Sequence, residues 1–194
     1  MTTNRMKLNG VRTLVADPDR HAVNILLQML RGLGMDAPVV VETGEQAKTH
    51  LQAEPFDLCI VEAMLPDMNG ADIVTFVRHM NPPLRFIPVI VMTSYSNLRN
   101  VRAARDAGAH LVVKKPLSPK ILFDRISWAA APNRAFVEVG PYVGPDRRFK
   151  FTGPPDGQGR RQNDLSAELG DATEPNMSQA EIDALIKPTR IATA

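Results

Sequence analysis

FDLCIVEAMLPDMNG, residues 56–70, is the stretch that decides how this chain reads. Leu58 to Val61 is an unbroken apolar run, the pattern of a strand buried on both faces. It ends in a single acid, Glu62, and a loop rich in Pro, Asp, Asn and Gly then leads to a new helix. Open α/β sheets collect their ligands at the carboxyl ends of parallel strands, which is where this acid lies.

Outward from that stretch the same unit repeats. Val11 to Ala16 is a β-branched apolar run, and Val23, Leu26, Leu27, Leu30 and Leu33 follow at helical spacing until Gly34. A second strand is expected at 39–41 with a helix over 45–53. The third strand, 57–61, precedes a helix over 70–80. Residues 87–92 read as a fourth strand, with a small-residue helix over 97–107 ending at Gly108. A fifth strand covers 110–113, and a helix from Ser118 to about Ala131 closes the series. Alternation of apolar strands and helices predicts a parallel sheet covered on both sides. Right-handed crossovers then leave few topologies. The expected fold is a flavodoxin-like, doubly wound (βα)5 sheet in the order 2-1-3-4-5.

Four sites at strand ends carry a family resemblance. Asp17 and Asp19 follow the first strand, Glu62 ends the third, Thr93 closes the fourth, and Lys115-Pro116 follows the fifth. In this order they resemble the phosphorylation site of CheY-like receiver domains of bacterial response regulators. The resemblance implies an acidic pocket for Mg²⁺, an acceptor aspartate, a hydroxyl and a lysine that contact the phosphoryl group, and a cis peptide after the lysine. The sequence departs from that pattern twice. The second acidic position of the first loop is Pro18, which has no side-chain oxygen, while Asp19 also suits the cap of the first helix. The acceptor position holds glutamate, whose extra bond of about 1.5 Å carries its carboxylate toward the space of a phosphoryl group, within reach of Lys115 and Thr93. Val112 stands where the family has a switching aromatic. No cofactor is expected, and Mg²⁺ binding is weakened by Pro18 and Glu62. The resulting expectation is a non-enzymatic pseudo-receiver. A receiver that still accepts phosphate from a histidine kinase is the alternative.

Composition narrows the setting. The chain has 194 residues and 44% hydrophobic content, enough for a core, but its 16 prolines point to an unpacked portion. The net charge of +2 argues neither for nor against nucleic acid. The single cysteine, Cys59, lies within an apolar strand and reads as a small buried hydrophobe. MTTNRMKLNG has no apolar stretch like a signal peptide, and no run suits a membrane span, so a cytoplasmic protein is expected. His21, His50, His79 and His110 are scattered without metal-like spacing and read as surface or cap residues. Met29, Met64, Met68, Met80 and Met92 read as core or loop filler, and Asp67 and Asn69 as turn residues.

The expected organisation is an extension over 1–10, the receiver over 11–131, a linker over 132–176 and a short helix over 177–188, with the tail largely disordered. Residues 140–159 hold nine Gly and Pro. Arg147, Arg148, Lys150, Arg160 and Arg161 face only Asp146 and Asp156 between residues 141 and 163. Six acids and no Lys or Arg follow between residues 164 and 186. The arginine pairs Arg147-Arg148 and Arg160-Arg161 are candidate anion ligands. Cyclic di-GMP is one candidate anion, since some CheY-like effectors bind it through arginine-rich tails. In MSQAEIDALIK, residues 177–187, Ser178 and Glu181 form a capping box, and Met177 with Ile182 suits a hydrophobic staple. Ile182, Leu185 and Ile186 make an apolar stripe. The string resembles the amino-terminal, CheY-binding peptide of the flagellar switch protein FliM. That resemblance implies chemotaxis or motor control, with CheY-like receivers, the flagellar switch or a histidine kinase as partners. It leaves open docking on this domain's own face or capture of another receiver. No DNA-binding pattern follows residue 131.

Overall fold

The structure is a computed structural model that describes residues 8–130, 136–140, 142–146, 148–151, 177–186 and 189–192, the backbone alone for 148–151 and 189–192. Five parallel strands, β1 (Thr13–Ala16), β2 (Val39–Val41), β3 (Leu58–Glu62), β4 (Val89–Thr93) and β5 (Leu111–Lys114), form one sheet in the order β2-β1-β3-β4-β5. The five crossover helices are α1 (Arg20–Gly32), α2 (Gly44–Ala53), α3 (Gly70–Arg78), α4 (Leu98–Asp106) and α5 (Pro119–Ala129). α1 packs beside α5, while α2, α3 and α4 follow one another. The expected topology is therefore present, and its apolar runs explain it. Leu14, Val15, Ile60, Val61, Ile90, Val91 and Val112 are buried in the central strands, and Leu30, Ile73, Val77, Leu122 and Ile126 are buried on the helices that cover them.

Four of the five crossover helices begin where a short polar side chain satisfies backbone N–H groups left free by helix geometry. Asp19 accepts from His21 N and Ala22 N, Thr43 from Gln46 N, Asn97 from Asn100 N, and Ser118 from Ile121 N. Asp67 does more than turn the chain. Its carboxylate crosses to α2 and accepts from Gly44 N at 2.8 Å and Glu45 N at 2.9 Å.

The linker expected from residue 132 is partly structured. Phe136–Val139 (β6) and Tyr142–Pro145 (β7) form an antiparallel hairpin, and the ring of Phe136 meets Phe86 edge-on at 5.1 Å. Beneath the hairpin lies Arg78, buried in the domain, with its guanidinium 5.1 Å from the Phe136 ring centre. Two further strands, Arg148–Phe151 (β8) and Thr189–Ala192 (β9), pair in parallel on either side of a last helix, α6 (Gln179–Ile186). The high Gly and Pro content suggested no regular elements between residues 140 and 159, but β7, which includes Gly144 and Pro145, and β8 lie in that stretch.

Gly108 seats the hairpin. Its φ of +96° is left-handed, and a Cβ there would run into the carbonyl of Val143. Gly108→Ala is expected to lower stability by about 1–2 kcal/mol from backbone strain alone. Urea unfolding measures this, and an unchanged midpoint would mean that the hairpin does not rest on this turn.

Candidate functional site

Because β1, β3, β4 and β5 run in parallel, their carboxyl ends bring Asp17, Glu62, Thr93 and Lys115 to one edge of the sheet. Lys115 sits at the centre. Its Nζ is 2.5 Å from Asp17 Oδ2 and 2.5 Å from Glu62 Oε2. All three side chains are mostly buried, at 14% exposure for Lys115, 6% for Asp17 and 12% for Glu62. The remaining carboxylate oxygens are engaged as well, Asp17 Oδ1 by Asp19 N and Glu62 Oε1 by Ala63 N. The Lys115–Pro116 peptide is cis.

One ammonium shared by two carboxylates leaves a net negative charge in a largely dry pocket. Burial pushes the Glu62 carboxyl above its ordinary pKa, against the pull of its hydrogen bond from Lys115. Burial also works to lower the Lys115 ammonium, but its hydrogen bonds to Asp17 and Glu62 together outweigh this and raise it. The pairing with Lys115 expected of Glu62 is present, and Asp17 joins it. The expected contact with Thr93 is not. The Thr93 hydroxyl turns back on its own loop, accepting from Tyr95 N at 3.0 Å and donating to Tyr95 O at 3.1 Å.

In this arrangement the acidic donors are committed to other partners. Mg²⁺ requires near-octahedral oxygen ligands. Pro18 offers none from its side chain, and the carboxylates of Asp17 and Glu62 already hold Lys115. Asp19 is committed to the start of α1, and the backbone bonds from Ala22 and His21 hold its carboxyl below the usual range. Among the described residues no cluster of His, Cys, Asp and Glu has metal-binding geometry.

A second constellation lies on the face made by α4, β5 and α5, where α6 is docked. Ile182 and Ile186 are buried against the domain. Gln179 spans the end strand of the sheet, accepting from Lys114 N at 2.7 Å and donating to Val112 O at 3.3 Å. Arg125 of α5 meets Asp183 at 2.6 Å. Ahead of the helix, Met177 N donates to Ser96 O, and Ser96 Oγ and Lys114 Nζ donate to Met177 O. The capping box expected at Ser178 and Glu181 is formed, Ser178 N donating to Glu181 Oε2 at 2.7 Å and Glu181 N to Ser178 Oγ at 3.3 Å. The apolar stripe is present, with Leu185 half-buried. Gln179 and Asp183, which make its polar bonds, escaped the sequence reading because that reading followed apolar spacing only.

His110 also departs from expectation. It is buried, its Nδ1 accepting from Val89 N and facing the Arg78 guanidinium at 3.1 Å. His79 caps α3 through Thr75 O, and His50 pairs with Glu54. Cys59 is buried, and burial pushes its thiol up to about 12. The candidate anion ligands Arg147, Arg160 and Arg161 lie outside the described residues, as does the side chain of Arg148. No described helix is long and apolar enough to cross a membrane.

Comparison with known proteins agrees with this geometry. Residues 13–127 match the model of the response regulator receiver domain. The chain is 30% identical over 132 residues to the sensory/regulatory protein RpfC of Xanthomonas campestris, covering 68% of this chain and 18% of that protein. It is 33% identical over 115 residues to the DNA-binding response regulator MtrA of Mycolicibacterium smegmatis, covering 59% of this chain and 48% of that one. The match thus spans about half of the second relative and under a fifth of the first. Among solved structures, the CheY-like receiver domain protein of Methanospirillum hungatei is 26% identical, with a TM-score of 0.55 over 60% of this chain and 90% of that one. The receiver domain of the sensor kinase PA1611 of Pseudomonas aeruginosa shares the fold at 21% identity, with a TM-score of 0.58 over 63% and 99% of the two chains. By its strand order, its strand-end residues and the extent of the family match, the chain belongs to the response regulator receiver domains.

Proposed function

We propose that this receiver is a pseudo-receiver, a non-enzymatic signalling module that works through protein contacts without aspartyl phosphorylation. The observation that carries the reading is Lys115 held between Asp17 and Glu62. A glutamate carboxylate already occupies the lysine that would otherwise meet an incoming phosphoryl oxygen. It supplies part of the charge of a phosphorylated site, with fewer acceptor oxygens and less charge than phosphate. A phosphoryl donor would have to break a buried ion pair before it could react. The helix at 179–186, with its likeness to the FliM peptide, supports a place in chemotaxis or flagellar motor control.

Acetyl phosphate with Mg²⁺, followed by intact-mass measurement, tests the reading on the full chain. The expected result is no stoichiometric phosphoryl adduct. A stoichiometric adduct that disappears in Glu62→Gln would overturn it and favour the phosphate-accepting alternative. The arginine pairs support a cyclic di-GMP alternative from sequence alone, which calorimetry on the full chain and on its Arg147→Ala/Arg148→Ala variant decides.

A further inference from the structure

The chain contains two Asn–Gly dipeptides, Asn9-Gly10 and Asn69-Gly70. Asparagine is a thermolabile side chain, and a following glycine makes it more so. Without a Cβ, the glycine lets its backbone nitrogen approach the carbonyl carbon of the preceding side chain. By sequence the two dipeptides are alike. The fold separates them. Gly70 opens α3 in a buried position, and its N–H donates to Ala63 O at 2.8 Å. A Cβ placed there would lie 2.5 Å from Glu62 O and 2.7 Å from Val61 Cγ1, so the surroundings close tightly on its backbone. Asn69 N is held in turn by the Asp72 carboxylate at 3.0 Å.

Asn9-Gly10 lies instead in an exposed turn ahead of β1. Gly10 has a left-handed φ of +79°, and a Cβ there would meet nothing within 4 Å. Its N–H points at a carboxylate, Asp36 Oδ2, at 3.1 Å. That separation is within the reach of a general base for the proton it removes. Exposed turns also open at little free-energy cost, so the nitrogen is free to turn toward the side chain. Asn9 Oδ1 rests on Gly34, 3.0 Å from where a Cβ would stand, which settles the amide beside the end of α1.

We propose that Asn9 is a self-modifying site, deamidated through Gly10 and Asp36 to aspartate and isoaspartate while Asn69 stays intact. Asp36 takes the proton of Gly10 N, and the nitrogen forms a bond to Asn9 Cγ. The Cγ–Nδ2 bond then breaks, and the amide nitrogen leaves as ammonia after taking up a proton, closing a succinimide ring. Water opens the ring. Attack at Cγ gives aspartate, and attack at the main-chain carbonyl carbon gives isoaspartate. No oxidant, reductant or phosphoryl donor enters the balance. The product sets a new carboxylate close to Asp36 and against the carboxyl end of α1, where the helix dipole disfavours negative charge. The tie between Gly10 and Asp36 therefore loosens as the chain ages.

The test holds the full chain at neutral and mildly alkaline pH and samples it over days. Proteolytic peptides are then resolved by chromatography and mass spectrometry, which report amide-to-acid conversion and separate the isoaspartyl form. Asn9 is expected to convert while Asn69 remains an amide. In urea both are expected to convert at comparable rates, since unfolding removes what distinguishes them. Asp36→Asn is expected to slow Asn9 in the folded chain by about 10-fold, a modest general-base effect because the carboxylate is exposed to water. The same variant should leave the rate in urea unchanged and should make the folded rate rise more steeply with pH, as hydroxide takes over from the carboxylate. A turn that was merely loosened by the substitution would convert faster instead.

Hydrogen exchange reads the consequence. In Asn9→Asp, which stands for one product, the Gly10 amide should exchange about two- to five-fold faster, the size of effect a misplaced charge at a helix end produces. An Asn9 that stays intact, or equal conversion of Asn9 and Asn69 in the folded chain, would overturn the proposal. An Asp36→Asn rate equal to or above that of the unaltered chain would overturn Asp36 as the base. Unchanged exchange at Gly10 would overturn the loosened tie.

Discussion

Lys115→Ala should cost about 3 kcal/mol of stability at neutral pH, the low end for removing one partner of a buried ion pair. The low end applies because the pocket still touches water, with Glu62 at 12% exposure. Without the ammonium, the Asp17 and Glu62 carboxylates face each other with no counter-charge between them. The signs of the pH dependence follow from the shifts. In the unaltered chain, burial raises Glu62 above its ordinary value of 4.5, so between that value and the raised one the folded state holds more protons than the unfolded state. Stability therefore falls as pH rises through that window. Lys115 is raised above 10.5, so its contribution is fully present below that value and is lost as pH rises through the folded one.

Removing Lys115 takes away the hydrogen bond that lowers Glu62 and keeps the Asp17 charge that raises it. The window for Glu62 then moves upward, and acidification should return much of the lost stability by neutralising it. Urea unfolding of both proteins at a series of pH values measures this. A loss that stays constant from neutral to acid pH would show that the two carboxylates do not repel each other as the geometry requires.

The second large effect is expected at Arg78, far from the strand-end site. Its side chain is 1% exposed and gives hydrogen bonds to Gly108 O at 3.0 Å, Arg85 O at 2.8 Å and Ile87 O at 3.1 Å. Burial lowers its pKa to about 10, which still leaves it charged at neutral pH. Arg78→Met keeps the apolar stem but strands three carbonyls and uncovers the face of Phe136. At roughly 1–2 kcal/mol for each acceptor left unpaired, the expected loss is about 4 kcal/mol. Arg78→Lys should recover little, because one ammonium cannot reproduce a planar fork aimed in several directions. A denaturation midpoint close to that of the unaltered chain would remove Arg78 from the account of how α3, the turn at Gly108 and the hairpin hold together.

The strand-end site and the buried arginine differ in how far they could be read in advance. Asp17, Glu62, Thr93 and Lys115 were legible because each follows an apolar run, and parallel strands must deliver such residues to the same edge. That Glu62 reaches Lys115 follows from side-chain length. Which hydrogen bonds Thr93 makes does not, because its rotamer answers to the path of Ser94 and Tyr95. Arg78 and His110 sit 32 residues apart and look like ordinary polar positions until the fold places one against the other. The hairpin at 136–145 was hidden for a related reason, since its short strands are held by Gly108, Phe86 and Arg78 rather than by an apolar pattern of their own.

Local patterning by itself determined the five-strand parallel sheet, its order, the helix caps and the placing of four chemical groups on one edge. Those outcomes depend on periodicity and on residues near one another along the chain, where spacing alone dictates which side a group faces. Tertiary structure alone decided that Asp17 shares Lys115 with Glu62, that Asp67 caps a helix 22 residues away, and that Gln179 lies across β5. Each of these joins groups far apart in sequence through directional bonds of about 3 Å, and such a bond exists only once the packed core has set the distance.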